Sequence, residues 1–231
     1  MRRLVALPVI LAATVALSGP ALLGGLLDRS GRLPHAVARL WGRIVLWACG
    51  VRVTVEERSG LPTPAVYAAN HTSAFDIPLL FGYLPVSFRI IHKKSLSLVP
   101  LIGWFLFLGG HVAIDRGNPF KAKRSLERAA DRIRLGTSVA VFPEGTRSRD
   151  GAVRHFKRGS FGLAMSAGVP VVPVALVGVK VVVPGGIFSV RSGTVRLVTH
   201  TPFATAGRNA EEPDVLAEEV RRVVAETCGR A

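Results

Sequence analysis

In the stretch NHTSAFD, residues 70–76, His71 stands five positions before Asp76. An imidazole and a carboxylate so spaced suit proton transfer. The aspartate accepts a hydrogen bond from one ring nitrogen, fixes the tautomer and raises the basicity of the other nitrogen. Five residues of continuous α-helix would set the two side chains roughly 140° apart, so they do not meet on one helix. The histidine must lie in a turn, with the aspartate in the first turn of a following helix and folded back toward it. There is no GxSxG in the chain, and Ser73 has no nucleophile-elbow context. The pair therefore suits a base that takes a proton directly from a substrate hydroxyl. A polar turn between a strand and a helix fits the same residues. With six histidines in the chain, an HxxxxD match arises by chance roughly a quarter of the time, so the pair alone decides nothing.

A second constellation is FPEGTRS, residues 142–148. Pro143 and Gly145 predict a tight turn that holds Glu144 and Arg147 at the end of a strand. Arg147 is a fork donor suited to phosphate. Arg116, Lys94, Lys157 and Arg158 are further cationic candidates, each to be weighed against an ordinary solvated surface charge. Glu144 fits either of two roles, holding a substrate or bracing the loop.

The elements that must position these residues follow from hydrophobic periodicity. Strands are expected at 51–57, 64–70, 87–93, 111–116, 138–145, 169–178 and 194–200. Helices are expected at 77–84, 97–109, 118–136, 160–168 and about 212–228. Such alternation implies an α/β fold, a largely parallel sheet flanked by helices. Ligands of these sheets bind beyond the carboxyl ends of the strands. NHTSAFD, His92-Lys93-Lys94, Asp115-Arg116 and FPEGTRS all fall at such ends.

The chain is divided on the sequence into 1–50 and an α/β domain at 51–231. Leu4 to Leu27 is a 24-residue run without a charge, long enough to cross a hydrocarbon core. Pro8, Pro20 and Gly24-Gly25 suggest a broken helix or a re-entrant hairpin. A secretory signal peptide with ALS before Gly19 fits the same stretch; the lack of a disulfide framework, with only Cys49 and Cys228 present, argues against it. Residues 33–50 form an amphipathic helix, with His35, Arg39 and Arg43 on one side and Trp41 and Trp47 on the other, suited to a membrane interface or to packing on the domain. Apolar residues make up 49% of the 231, with a formal charge of +15 and a mean hydropathy of +0.37. This balance favours a membrane and an anionic partner. Nucleic acid is disfavoured by the low aromatic content, 7%, and by the absence of any reading motif. No cluster has metal-ligand spacing, and no metal is expected.

NHTSAFD resembles the NHxxxxD block of the 1-acylglycerol-3-phosphate acyltransferase (PlsC-like) family of glycerophospholipid acyltransferases. GHVAIDR (110–116), FPEGTRS and VPVVPVAL (169–176) are similar to its second, third and fourth blocks, in order and spacing, across about residues 60–185. Ala113 stands where the family often has a bulkier residue. The resemblance implies a glycerolipid acyltransferase-type α/β fold behind an N-terminal apolar, membrane-associating segment. It implies His71 as base and Asp76 as its partner, acceptor contacts from Glu144, Gly145, Thr146 and Arg147, and a phosphate site joined by Arg116 and Lys94. The implied reaction is transfer of a fatty acyl group from acyl-CoA or acyl carrier protein, both substrates and neither a bound cofactor, to a lysophospholipid. The acceptor is lysophosphatidic acid and the product phosphatidic acid, made at the cell membrane with the site facing the cytoplasm. Two rivals are the same chemistry on another lysophospholipid or a lyso-aminolipid, and a non-catalytic lipid-binding protein. A need for an exposed phosphate monoester separates the first; the intact His71, Asp76 and FPEGTRS argue against the second.

Overall fold

The computed structural model describes residues 2–28, 30–115, 117–184, 189–208 and 212–229. In chain order the elements are α1 (Arg2–Leu27), α2 (Arg32–Ala48), β1 (Val51–Glu57), β2 (Val66–Ala69), α3 (Asp76–Tyr83), β3 (Phe88–Lys93), a 3-10 turn (Lys94–Leu98) and α4 (Ile102–Leu108). They continue with β4 (Val112–Ile114), α5 (Pro119–Arg134), β5 (Ser138–Val141), α6 (Gly159–Ala167), β6 (Val171–Val177), α7 (Val179–Val182), β7 (Gly193–Thr199) and α8 (Pro213–Gly229). The seven strands form one sheet in the order β1-β7-β6-β2-β5-β3-β4. Every pair is parallel except β6 with β7.

The strands that carry the chemistry are the central ones. β2 reads VYAA and β6 reads VVPVALV, and every residue of both is buried. Unbroken apolar runs of this kind belong to strands covered on both faces. Tyr67 and Ala69 join one core with residues of α2, α3, β6 and β7, whereas Val66 and Ala68 join the other with α5, α6 and α8. Pro173 fits inside β6 because the ladder to β7 covers only Val174–Val177; the Pro173 carbonyl instead accepts the His200 N–H at 3.0 Å.

The sequence expectations hold for the sheet and shift at its edges. The apolar segment at 97–109 is divided at Pro100 into a 3-10 turn and α4, since a proline cannot continue the helix that precedes it. α5 starts where Asn118 caps it, its side chain accepting the Lys121 N–H at 3.0 Å.

One expectation for the N-terminal region is corrected. Pro8 and Pro20 do not break α1, which runs as one helix from Arg2 to Leu27. Each proline removes only one backbone donor, and α2 braces the helix through Trp41 Nε1, which donates to Thr14 Oγ1 at 3.0 Å. The cationic side of α2 faces the domain. His35 is buried against the Phe81 and Phe88 rings, and Arg39 donates to the Leu84 and Val86 carbonyls at 3.2 and 3.3 Å. Arg43 donates to the Gly82 carbonyl at 3.0 Å. These carbonyls lie at and just past the end of α3, where a helix leaves acceptors unsatisfied and favours cations. The large apolar residues of α2 that are exposed are Leu33, Leu40 and Trp47.

Candidate active site

His71 leaves the end of β2 in a turn, and Asp76 is the first residue of α3, as the spacing required. The His71 Nδ1 lies 2.7 Å from Asp76 Oδ2. Asp76 is fully buried and His71 is 17% exposed by its side chain. The same carboxylate oxygen accepts the main-chain N–H groups of Thr72 and Ser73 at 2.7 and 2.8 Å. The turn thus wraps Asp76 Oδ2 with two main-chain amides beside the imidazole. With Nδ1 engaged, Nε2 is the ring nitrogen left for chemistry.

The FPEGTRS turn lies next to this pair because β2 and β5 are adjacent and parallel. Phe142 stacks on the His71 ring with centroids 4.0 Å apart and planes at 19°. Glu144 is 4% exposed, and its Oε1 accepts the His71 main-chain N–H at 2.8 Å. Burial raises its pKa above the usual carboxylate value, opposed by that N–H. Ser148 N–H donates to the His71 carbonyl at 2.8 Å. Gly145 has a φ of 76°, the left-handed region that a glycine enters without strain, and its N–H donates to the Phe142 carbonyl at 3.1 Å. A Cβ on Gly145 would lie 3.1 Å from Lys157 Nζ, which places that cation over the turn.

The other sequence candidates spread along the same edge. Thr146 and Arg147 are exposed, and Arg147 makes no hydrogen bond or ion pair among the described residues. Lys94 begins the 3-10 turn after β3 and lies 3.5 Å from Asp115 Oδ2 at the end of β4. Arg116 lies outside the described residues. No group of three or more His, Cys, Asp or Glu able to hold a metal occurs among the described residues.

Two further residues shape the site. Asn70 is buried, accepts the Leu176 N–H at 2.8 Å and donates to the Leu176 carbonyl at 3.1 Å. Its amide thereby extends the β2–β6 pairing by one step and sets where His71 leaves the sheet. Phe142 fixes the plane of the imidazole. Both stand inside the sequence motifs, but nothing in their side-chain types signals these contacts.

A family model described as Acyltransferase matches residues 51–177, more than half of the chain. The chain belongs to the acyltransferase family. It is 36% identical over 197 residues to the chloroplastic 1-acyl-sn-glycerol-3-phosphate acyltransferase of Arabidopsis thaliana, covering 84% of this chain and 53% of that protein. It is 40% identical over 189 residues to the 1-acyl-sn-glycerol-3-phosphate acyltransferase of Chlamydomonas reinhardtii, covering 78% and 55%. The chain spans about half the length of these curated relatives. Among solved structures it is similar to the 1-acyl-sn-glycerophosphate (LPA) acyltransferase, PlsC, of Thermotoga maritima. That match has a TM-score of 0.82 and 30% identity and covers 100% of this chain and 97% of the other. The α/β acyltransferase fold expected from the motifs is therefore the fold of this chain, with an apolar helix, α1, at its N-terminus.

Proposed function

We propose that this acyltransferase transfers a fatty acyl group from acyl-CoA or acyl carrier protein to the free hydroxyl of 1-acylglycerol-3-phosphate, giving phosphatidic acid. The observation that carries the reading is the 2.7 Å contact between His71 Nδ1 and a buried Asp76 carboxylate, with Nε2 left over. The names of the relatives supply the acceptor.

In the proposed step Asp76 accepts the Nδ1–H, so the lone pair is on Nε2. The acceptor hydroxyl donates to Nε2 and its oxygen attacks the thioester carbonyl. The proton passes to the imidazole as the C–O bond forms. The imidazolium is stabilised by Asp76 beneath it. The tetrahedral oxyanion collapses, the C–S bond breaks, and the thiolate leaves with the proton from Nε2. Main-chain amides of the turns at the strand ends are the natural oxyanion donors. Arg147, with Lys94 from a neighbouring strand end and with Arg116, holds the acceptor phosphate, and Thr146 and Gly145 line its approach. The donor enters as a substrate, and the residues described need no metal for this step. α1 keeps the site at the bilayer, where an amphiphilic acceptor resides. We place the protein at the cell membrane with the site toward the cytoplasm.

The test is acyl transfer by the purified, detergent-solubilised protein from labelled oleoyl-CoA to lysophosphatidic acid, beside lysophosphatidylcholine and lysophosphatidylglycerol, with His71→Ala as control. The expected product is phosphatidic acid, lost by about 10²–10⁴-fold in the variant. Near-full activity of His71→Ala would overturn the base. Transfer confined to a headgroup-bearing acceptor would overturn the phosphate site.

A further inference from the structure

Between β3 and β4 the chain displays apolar side chains where a soluble domain would hide them. Leu98 and Phe107 are each 82% exposed and Trp104 is 58% exposed, with Leu96, Val99 and Ile102 also in the open. Six large exposed apolar residues within twelve positions are a local concentration rather than singly scattered surface residues, and exposed apolar surface so concentrated marks an interaction site. The segment is not a loosely attached loop. Gly103 is buried, and a Cβ there would come 2.1 Å from the Ser97 carbonyl, so the 3-10 turn and α4 are closely packed on each other. Its outward side chains are therefore presented by a defined scaffold.

What covers the patch is indicated by its borders. α4 packs directly on α1: a Cβ on Gly25 would lie 2.6 Å from Leu108 Cβ. Leu26 and Leu27, next in sequence to that contact, are themselves exposed, so exposed apolar residues occur on α4 and also on the helix long and apolar enough to cross a membrane, near where the two meet. From Phe88 to Gly110 the charged residues are Arg89, Lys93 and Lys94, with no acid. Phe120 is exposed at the start of α5, followed by exposed Lys121, Lys123 and Arg124. Apolar and aromatic side chains bordered by cations match the boundary of an anionic bilayer. Two copies of this chain docked through the patch would bring their cationic borders together, which opposes self-association.

We propose that the segment Lys94–Leu108 is a second lipid-contacting element, independent in sequence of α1 and α2, which seats the domain on the surface of a bilayer containing anionic lipid. Leu98, Trp104 and Phe107 enter the acyl boundary, and Lys93 remains at the headgroups. The 3-10 turn issues from the end of β3, on the sheet edge that carries His71 and FPEGTRS. Insertion of this segment therefore sets the height of that edge above the headgroups. The proposal does not rest on the catalytic reading.

The experiment compares the full chain with Trp104→Phe on phosphatidylglycerol vesicles containing brominated lipid, following tryptophan emission with acrylamide as the aqueous quencher. The emission that disappears in Trp104→Phe is expected to be the lipid-quenched, acrylamide-protected part. Emission from Trp104 that acrylamide quenches in vesicle-bound protein would overturn the proposal. So would emission shielded from both quenchers, which would mean that protein covers the patch. A second variant, Leu98→Glu with Phe107→Glu, is expected to keep its circular dichroism and its transfer to micellar acceptor. Its partitioning to those vesicles is expected to fall by about a hundredfold, the loss expected for two large apolar side chains. Unchanged partitioning would also overturn the proposal, whatever the acyl acceptor turns out to be.

Discussion

Glu144 holds the backbone of His71. Its carboxylate accepts the His71 N–H at 2.8 Å, and four residues later Ser148 N–H donates to the His71 carbonyl at 2.8 Å. The third motif thus clamps both main-chain groups of the residue that the first motif supplies, while Asp76 holds the ring. Bracing, one of the two roles open to Glu144 in the sequence, has a hydrogen bond in the structure.

Bracing has a kinetic signature distinct from substrate binding. Glu144→Ala should lower kcat by about 10²-fold, the cost of a misplacement of about 1 Å at a reacting group, and leave the acceptor KM nearly unchanged. Glu144→Gln keeps an oxygen acceptor and should retain most of kcat. Steady-state kinetics on both variants decides it: a rise in acceptor KM with kcat intact would return Glu144 to the substrate.

Arg147 is exposed and makes no hydrogen bond or ion pair among the described residues, so its guanidinium is available to a ligand. Arg147→Ala should raise the acceptor KM by about tenfold or more, the range of one lost hydrogen bond to a charged group, with a smaller effect on the donor. Arg147→Lys, a point charge without the fork, should fall between. Kinetics with each substrate varied in turn checks this, and equal effects on both would contradict a phosphate role.

Much of this was legible from residue types and spacing. The five-residue step from His71 to Asp76 forced a turn followed by a helix, and the alternation of strands with helices implied a largely parallel sheet. What escaped were contacts made by groups that carry no type signal. The clamp on His71 uses main-chain atoms. Asn70 reads as a turn residue but serves as one more rung between β2 and β6. The cations and tryptophans on opposite sides of α2 suited either a membrane interface or packing on the domain. Periodicity reports that a helix has two sides but not which side is turned inward, and free carbonyls at the end of α3 drew the cationic side in. The antiparallel β7 was equally unreadable, because strand direction follows from connections and not from composition.

The contact between α2 and α3 depends on two glycines. A Cβ on Gly42 would lie 2.4 Å from the Pro78 carbonyl and 2.9 Å from the Gly82 nitrogen, both backbone atoms that cannot move aside alone. Gly42→Val should therefore push the helices apart, lengthen the Arg39 and Arg43 contacts to the end of α3, and destabilise the protein by about 1–3 kcal/mol or more. Denaturant unfolding in detergent measures this. A variant as stable as the parent would show that the helices part without loss.

Acid should loosen the same interface through His35. Burial, and then the charges of Arg39 and Arg89, lower its pKa from 6.5 to about 4. The unfolded chain therefore takes up a proton near pH 6.5 that the folded chain refuses until about pH 4. Stability contributed by the neutral ring is complete above pH 6.5 and falls as the pH drops toward 4, by about 3 kcal/mol in all. His92 and His111 are shifted in the same direction by burial, so part of the acid loss will remain without His35. His35→Leu, which keeps an apolar side chain against Phe81 and Phe88, should flatten the decline of Tm between pH 6.5 and 4 relative to the parent. Thermal unfolding across that range checks the slope. Parallel curves for the two proteins would mean that the ring is solvated when protonated.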